Sequence, residues 1–267
     1  MTLIQTDAVV LHAFSYLESS RILRLATRDA GVVSVLAKGA RRSSRRFGTA
    51  VDLFAEGQAQ FYAKAGRDLH TLASFDVVRS RPALAADLGR FMAASAIAEL
   101  VLRFARDDVE PALFQVLVSA LDRIGAAAPP ATREAGVAGA WQLVSELGFA
   151  PTLVACAECH TSVPLGLEAA FSHPAGGILC GRCARLAGLR RVLPPSARAS
   201  LAEWLAGASA TEGLDDRAAR AHQRLLREFL REHLTDGRPL RAFEAWEGDR
   251  WNAVEGATVS SDGRGLA

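Results

Sequence analysis

The hydrophobic period of this chain changes at Arg81-Pro82, and that change limits what the chain can fold into. Before this point apolar and polar residues alternate, as from Val32 to Lys38, which is the two-residue period of a β-strand. After it, from Leu84 to Leu102, apolar residues recur every three or four positions, as in an α-helix. The sequence therefore predicts an α+β multidomain protein. Its parts are expected at residues 1–80 (β), 81–247 (helical) and 248–267 (a disordered tail rich in Gly, Ser and Asp).

Five strands are expected in the first part. They cover residues 7–13, 21–27, 32–38, 51–63 and 69–78. The fourth is long and contains Gly57, which indicates a strongly curved strand. Five strands with one long, bent member fit an oligonucleotide-binding (OB) barrel. Another small β-barrel, such as an SH3-like domain, is the alternative, because the strand count alone does not separate the two.

The helical domain is expected to be a compact bundle. Its helices are predicted at residues 84–102, 112–124, 133–147, 196–205 and 214–234. Gly148 should end the third helix as a left-handed cap, and Ser196 should cap the start of the fourth. The helices are rich in alanine and apolar on more than one face, so we expect them to pack on each other.

Four cysteines form two Cys-x-x-Cys pairs, Cys156/Cys159 and Cys180/Cys183, with 20 residues between the pairs. This spacing predicts a zinc-finger insertion at about residues 151–190 that holds one tetrahedral Cys₄ zinc ion per chain. Because four thiolates fill the coordination shell, the Zn²⁺ should be structural rather than catalytic. The alternatives are reduced surface dithiols or a redox pair, but neither pair lies in a thioredoxin-like βαβ pattern.

A basic segment follows the third predicted strand. It carries five cations and no acid between Lys38 and Arg46. Guanidinium groups at the rim of a barrel can bind phosphates, and neighbouring rings can stack on bases. The predicted DNA-binding residues are Lys38, Arg41, Arg42, Arg45, Arg46, Phe47, Tyr62 and Lys64. The alternatives are a solvated charged loop and, for Phe54 on the same strand face as Tyr62, packing under the helical bundle.

The net charge of +2 is nearly neutral, so the case for an anionic partner depends on how the charge is distributed. Residues 1–81 carry 12 Lys and Arg against 7 Asp and Glu, which favours such a partner for this part of the chain. We expect a cytoplasmic protein with no membrane contact. The first residues lack a signal-peptide pattern, and the longest uncharged run, 13 residues, is too short to span a bilayer.

The sequence offers no catalytic constellation, so we expect a protein that is not an enzyme. The histidines are scattered, and no nucleophile elbow, P-loop or dinucleotide-binding glycine pattern occurs. His160 and His173 are near the cysteines but are expected to be ordinary loop residues, because four sulfurs already complete a zinc site. Metal-dependent nuclease or ligase activity has no supporting residues.

Several stretches of the chain, spread over roughly residues 7–246, together form a recognisable set. They are Ala8-Val-Val-Leu11, Glu18-Ser-Ser-Arg-Ile-Leu23, Gly31-Val-Val-Ser-Val-Leu-Ala-Lys-Gly-Ala-Arg-Arg42, Glu146-Leu-Gly-Phe149 leading into Cys156, and Arg238-Pro-Leu-Arg241. The most specific is the Leu-Ala-Lys-Gly-Ala-Arg-Arg run that follows a Gly-Val-Val strand. In these stretches the chain resembles the RecO family of bacterial recombination mediators.

The resemblance implies an OB barrel, a helical domain and a zinc-binding insertion that only some members retain. It also implies a non-enzymatic mediator of the RecF-pathway type, which binds single- and double-stranded DNA and anneals complementary strands. Such a mediator contacts the acidic C-terminal tail of single-strand-binding protein and, with the partner RecR, helps to load RecA onto coated strands. We expect the chain to be monomeric on its own and to act at the nucleoid.

The alternative hypothesis is a protein-interaction scaffold, in which the arginines of the basic segment bind acidic tails and DNA contact is incidental. For the tail of single-strand-binding protein, a charge-based candidate is a cluster of cations on the helix predicted at residues 214–234. It comprises Arg217, Arg220, Arg224 and Arg227. A solvated helix face is the other interpretation of this cluster.

Overall fold

The structure, a computed structural model, describes residues 2–40, 52–63, 66–105, 110–188, 192–208, 213–234 and 238–248. The predicted disordered tail lies almost entirely outside the described residues. The predicted domain boundaries remain a prediction.

Five strands form a closed barrel in the N-terminal part of the chain. They are β1 (Thr2–Tyr16), β2 (Ser20–Thr27), β3 (Val32–Ala37), β4 (Glu56–Ala63) and β5 (Leu69–Arg79). The order around the barrel is β1-β2-β3-β5-β4, and β3 pairs with β5 in parallel while the other neighbours are antiparallel. The long β1 closes the barrel, because it pairs with β4 along residues 2–9 and with β2 along residues 8–16. This arrangement confirms the predicted OB-type barrel.

The barrel interior is filled by side chains from every strand, including Val10, Leu25, Val35 and Phe61. Gly57 lies where β4 curves, at a register shift against β5. A Cβ at this position would be 2.3 Å from the backbone oxygen of Asp76, so only glycine allows the two strands to approach this closely. The predicted curvature of this strand is confirmed.

Two strand boundaries differ from the prediction. β1 begins five residues before the expected residue 7, since its polar start pairs with β4 through the backbone and through the Gln5–Gln58 hydrogen bond of 2.8 Å. β4 begins at Glu56 rather than residue 51. The chain turns at Phe54, which has φ +67° and places its ring in the helical core instead of continuing the alternation.

Eight α-helices lie in the described part of the remaining chain. They are α1 (Pro82–Ala86), α2 (Leu88–Phe104), α3 (Pro111–Ala126), α4 (Thr132–Glu146), α5 (Gly181–Leu186), α6 (Pro195–Leu205), α7 (Asp216–His233) and α8 (Arg241–Glu247). The first predicted helix is divided at Asp87, whose carboxylate accepts the Arg90 N–H and caps α2. Gly148, at φ +88°, ends α4 as predicted. The predicted cap at Ser196 is wrong. Helix α6 begins at Pro195, one residue earlier, and no side chain caps the start of this helix.

Helix α4 is the centre of the bundle, and small residues allow its neighbours to approach. A Cβ at Gly139 would be 2.8 Å from the Ala120 Cβ of α3, and one at Gly136 would be 2.7 Å from the Trp246 ring of α8. The indole of Trp141, also on α4, is fully buried, with its ring centroid 5.1 Å from that of Phe229. The alanine-rich composition therefore produces the close packing that the sequence predicts.

The barrel is joined to the helices by shared core and by ion pairs. Val9, Leu11 and Phe54 belong to the helical core rather than to the barrel interior. Arg81 is buried at the junction, where it donates to Asp122 at 2.7 Å, to Glu56 at 2.6 Å and to the Phe54 carbonyl at 2.8 Å. The period change in the sequence thus coincides with a buried hydrogen-bonded arginine.

The segment between α4 and α6 forms a small antiparallel sheet of order β7-β6-β8 beside α5. Its strands are β6 (Ala169–Ser172), β7 (Gly177–Leu179) and β8 (Val192–Leu193). Its apolar side chains, among them Phe171 and Ile178, join the bundle core. Within the residues placed by the structure, no helix combines the length and apolarity that crossing a membrane requires.

Candidate metal centre and nucleic-acid interface

The first cysteine pair lies on a tight backbone turn. The N–H of Cys156 donates to the Thr161 carbonyl at 2.8 Å, and the N–H of His160 donates to the Cys156 carbonyl at 2.9 Å. His160 has φ +60°, the left-handed conformation that reverses the chain after the second cysteine. This turn directs both thiols of the pair to the same side.

The second pair lies at the start of α5. Cys180 precedes the helix and Cys183 is in its first turn, where the Ala184 N–H donates to the Cys180 carbonyl at 2.9 Å. The turn at the first pair lies directly beside the helix start at the second, because the Ala157 N–H donates to the carbonyl of Ile178, on the strand that leads to Cys180, at 2.8 Å. This places 20 residues of chain between the pairs while bringing their sulfurs together.

The four cysteine sulfurs form a compact cluster that could hold a metal ion. All four Sγ atoms lie within 4.8 Å of one another, and Cys159 Sγ is 3.7 Å from Cys180 Sγ. A tetrahedral ion with metal–sulfur bonds of about 2.3 Å separates its sulfurs by about 3.8 Å, so the cluster fits such an ion. All four cysteines are free, since none forms a disulfide. Each of the four predicted ligands is therefore in position.

The pKa values of two thiols in the cluster are shifted in opposite directions by their hydrogen bonds. Hydrogen bonds from the Thr161 hydroxyl and backbone lower the pKa of the Cys159 thiol to about 6. Hydrogen bonding to the sulfurs of Cys159 and Cys180 raises the pKa of the Cys183 thiol to about 12. Sulfurs this close cannot all ionise without a compensating positive charge, which a metal ion supplies.

His160 and His173 are not part of this cluster. A shared metal ion needs at least three Cys, His, Asp or Glu side chains with ligand atoms close together. Among the described residues, only the four cysteines meet this condition. His173 Nε2 instead lies 2.9 Å from a Glu228 carboxylate oxygen, and its carbonyl is 2.7 Å from His233 Nε2. These contacts fix the insertion to α7.

Arg198 is a site residue that sequence reasoning missed. It is fully buried on α6, and its guanidinium donates to the backbone carbonyls of the insertion. The acceptors are Leu153 (2.6 Å), Val163 (2.9 Å), Pro164 (3.0 Å) and Leu167. Burial lowers the pKa of Arg198 from its ordinary value. An arginine in an ordinary amphipathic helix carries no sequence signal that it will turn inward, so no pattern could have found it.

Six of the eight predicted DNA-binding residues lie outside the described residues. They are Arg41, Arg42, Arg45, Arg46, Phe47 and Lys64. The other two are exposed: Lys38 directly follows β3, and Tyr62 is 41% exposed on the outer face of β4. Gly39, at φ +72° with open space around it, turns the chain away from the strand.

Phe54 is not available for stacking on a base. Its ring is 2% exposed and lies edge-on to the Phe91 ring of α2, with centroids 6.1 Å apart. The interpretation that this ring packs under the bundle is the one the structure supports. Phe54 and Tyr62 therefore do not share a face, because the positive φ at Phe54 interrupts the strand alternation.

The arginines of α7 are mostly engaged with acids. Arg220 donates to Asp216 at 2.6 Å, and Arg227 lies 2.9 Å from a Glu247 oxygen. Arg217 and Arg224 are exposed. A row of cations with acid partners on the same surface agrees with a solvated helix face more than with a dedicated anion pocket.

A second missed arrangement holds the turn that leads into α8. Arg103 donates to the carbonyls of Arg238 at 2.6 Å and Pro239 at 2.9 Å. Glu99, one turn earlier on α2, accepts the N–H groups of Ala242 at 2.8 Å and Phe243 at 3.1 Å. Together these two side chains fix the Arg238-Pro-Leu-Arg241 stretch against α2.

Comparison with known proteins covers nearly the whole chain. Residues 1–81 match the family described as Recombination protein O N terminal, and residues 85–242 match Recombination protein O C terminal. The chain is 39% identical to DNA repair protein RecO of Anaeromyxobacter dehalogenans (strain 2CP-C) over 249 residues, covering 91% of this chain and 95% of that protein.

Two more distant relatives carry the same name. DNA repair protein RecO of Rubrobacter xylanophilus is 33% identical over 238 residues, covering 83% of this chain and 91% of the relative. That of Geobacter metallireducens is 36% identical over 183 residues, covering 68% and 72%. With both family domains present in order and relatives matched over most of their length, this chain belongs to the RecO family of DNA repair and recombination proteins.

Proposed function

We propose that this chain is a non-catalytic mediator of DNA repair and homologous recombination that binds single- and double-stranded DNA through its barrel. The observation that carries the proposal is that both RecO domains are matched and that the first forms a closed OB-type barrel. A barrel of this kind offers a sheet face for bases, and the excess of cations in residues 1–81 favours phosphates.

In this proposal the basic segment provides the phosphate contacts. Lys38 is exposed at the barrel rim where β3 ends, Gly39 turns the chain there, and Arg41–Arg46 follow directly in the sequence. Neutralising phosphates on two strands at once reduces the repulsion between them, which is how a protein without catalytic groups promotes annealing. Phe47, Tyr62 and Lys64 would add stacking and charge beside this segment.

The proposed partners follow from the family rather than from a defined pocket. We assign to this chain the binding of RecR, contact with the acidic C-terminal tail of single-strand-binding protein, and help in loading RecA onto coated strands. The chain would act as a monomer in the cytoplasm, at the nucleoid. The exposed Arg217 and Arg224 are the candidate tail contacts on α7.

We also propose that the cysteine cluster holds one structural Zn²⁺. Four thiolates at tetrahedral separation suit zinc and leave no position for a substrate. When bound, the ion supplies the positive charge that lets all four thiols ionise together. Thr161 would hold the Cys159 sulfur, and Arg198 would hold the surrounding loops. Metal analysis of protein purified without chelator should find about one zinc per chain, and four freely titratable thiols without metal would refute the site.

The DNA proposal is tested with a variant in which Arg41, Arg42, Arg45 and Arg46 are all changed to Ala. Binding of a labelled oligonucleotide, followed by anisotropy at several salt concentrations, should weaken and lose about 0.7 of salt slope for each single-strand phosphate contact removed. The matched control is Arg217→Ala, which removes an exposed cation from α7. Unchanged affinity and salt slope in the fourfold variant would overturn the assignment of this segment.

The scaffold hypothesis is tested with the same variants. An acidic peptide and an oligonucleotide are titrated separately against the wild-type chain, the fourfold variant and Arg217→Ala. A scaffold requires that the fourfold variant loses the peptide and keeps DNA. A mediator requires that it loses DNA.

A further inference from the structure

A wide groove lies at the junction of the barrel and the helices, and it continues an exposed strip of rings on the barrel. The groove has a volume of about 900 Å³, which is the size of a site for an extended ligand rather than for a single small molecule. It lies between the β1–β2 hairpin on one side and α2 with the Arg238–Ala242 segment on the other. It takes no part in the metal centre, and it includes none of the residues that the sequence predicts to bind DNA.

The walls of the groove are strongly cationic. Arg24, Arg103, Arg238 and Arg241 line it, together with His12 and one carboxylate, that of Glu99. The acid is already engaged, because one of its oxygens accepts two backbone N–H groups of α8. The guanidinium of Arg103 donates to two backbone carbonyls, which are neutral acceptors. The groove therefore favours an anion.

Arg24 is the cation whose surroundings point most directly to a ligand. Its Nε is buried, and in the described part of the chain no group accepts a hydrogen bond from it. An arginine nitrogen that has lost water without gaining an acceptor is costly unless an anionic oxygen is supplied from outside. Arg24 pairs across the strands with His12, so both lie on the outer face at the groove entrance.

From this entrance a row of rings runs along the outer face of β1. His12, Phe14 and Tyr16 alternate along the strand, and the rings of His12 and Phe14 are 5.7 Å apart. Phe14 is 43% exposed and Tyr16 is 40% exposed, which is unusual for aromatic side chains in a sheet. The row ends where Tyr16 pairs with Ser20, near the point at which Lys38 leaves β3.

We propose that a single strand of nucleic acid crosses this face, with bases stacked on Phe14 and Tyr16 and with its backbone entering the groove at Arg24 and Arg241. The strip and groove lead in one path from the barrel rim, where β3 ends before Lys38, to the helical domain. The inference therefore rests on the proposed function and extends it. Exposed flat rings beside arginines favour bases and phosphates. An acidic peptide would need the cations but would leave the row of rings without a role.

The experiment measures binding of a labelled oligothymidylate to the full chain by fluorescence anisotropy. Phe14→Ala and Tyr16→Ala should each weaken binding by about 5- to 150-fold, the range for loss of one stacked base. The double variant Arg24→Gln/Arg241→Ala should lower the salt slope by about 1.4, for two lost single-strand phosphate contacts. Val78→Ala, an exposed apolar residue of β5, and Arg182→Ala, an exposed arginine of α5, are the matched controls and should bind like the wild type.

A second measurement does not depend on affinity. An oligonucleotide carrying a photoreactive 5-iodouracil should crosslink to the peptide that contains Phe14 and Tyr16, and the crosslink should vanish in the double variant Phe14→Ala/Tyr16→Ala. All variants change exposed or half-buried side chains, so their melting temperatures should match that of the wild type.

The outcomes separate the two proposals. If the wild-type chain does not bind the oligonucleotide, the proposed function fails and the strand path fails with it. If the wild type binds and the fourfold arginine variant weakens binding, while the ring and groove variants behave like the wild type, only the strand path is overturned. If the ring and groove variants lose an acidic peptide and keep the oligonucleotide, the groove is a peptide site and the inference is also overturned.

Discussion

The barrel and the cysteine-containing insertion are held together by different physical means. The barrel closes a ring of backbone hydrogen bonds around an apolar interior, and its longest strand pairs on both sides. The strands of the insertion have four, three and two residues, too few to be stable alone. The insertion relies on four sulfurs at one end and the buried Arg198 at the other. A closed sheet needs no external ligand, whereas a short open one does.

This difference also separates the roles of the arginines. Arg81 and Arg198 are buried and bind acids or carbonyls of the protein itself. Lys38 and Arg241 are exposed. Arg24 is half-buried at the edge of a groove, and its Nε has no acceptor among the residues that the structure describes. The first group fixes the shape of the molecule, and the second is available to an anionic ligand. Mutations should therefore divide into those that unfold a region and those that change binding.

The largest expected effect is on the insertion. Cys156→Ser should release the metal and unfold residues around 151–188, because structural zinc sites contribute roughly 10–16 kcal/mol of folding free energy in isolated peptides. Hydrogen exchange read by mass spectrometry should show loss of protection in the insertion, with the barrel strands still protected. Equal loss of protection in β1 and β2 would contradict the independence of the two regions.

Arg198→Met should have the next largest effect. It leaves four backbone carbonyls of the insertion without their shared donor, and removing one partner of a buried charged network costs about 3–5 kcal/mol. Chemical denaturation should show a lower free energy of unfolding, and a chelator should remove the metal faster. Arg182→Ala, an exposed arginine on α5, is the control and should change neither value. Wild-type stability in Arg198→Met would mean that the carbonyls do not need this donor.

Gly57→Ala tests the barrel in the same way. The new Cβ would meet the Asp76 carbonyl oxygen at 2.3 Å, so the strands must separate, at a cost of about 1–3 kcal/mol. The free energy of unfolding should fall while metal content stays at the wild-type level. Gly166→Ala, which has open space around the new methyl group, is the matched control. A neutral Gly57→Ala would show that β4 and β5 are farther apart than this close approach requires.

Lowering the pH is expected to reduce the free energy of unfolding by a smaller amount. His222 is buried on α7, edge-on to Trp204, and burial lowers its pKa to about 4 from an ordinary value of 6.5. Since the unfolded chain takes up the proton first, stability is complete above pH 6.5 and is lost as the pH falls toward 4. Between pH 7 and pH 5 the loss should be about 2 kcal/mol. It is measured as the wild-type change in unfolding free energy minus that of His222→Phe, so that protonation elsewhere cancels. A variant with the same pH dependence as the wild type would exclude His222 as the cause.

Sequence patterns predicted the features that depend on local spacing. The five strands, the curvature at Gly57, the cap at Gly148 and the joining of the two cysteine pairs follow from period, backbone freedom and ligand spacing. They could not predict features that depend on which elements meet in space. Phe54 turned inward because α2 covers the end of β4, and Arg198 turned inward because the insertion folds over α6.

The strip of rings on β1 shows the same limit. His12, Phe14 and Tyr16 have the alternation of an ordinary strand, and their exposure follows only from the position of the helices, which cover Val9 and Leu11 and stop before them. The groove beside them is formed by residues far apart in sequence, such as Arg24 and Arg241. The residues that line the two sides of the groove are therefore too far apart in the sequence for a local pattern to reveal it.

The most direct test of the account is a hydrogen-exchange footprint of the full, metal-loaded chain with and without an oligothymidylate. We expect added protection in the β1–β2 hairpin and in the segment from Lys38 to Phe47, with little change in residues 151–188. Protection confined to residues 151–188, or none in the barrel while the oligonucleotide is bound, would contradict the claim that the barrel binds the strand and the metal centre only maintains the fold.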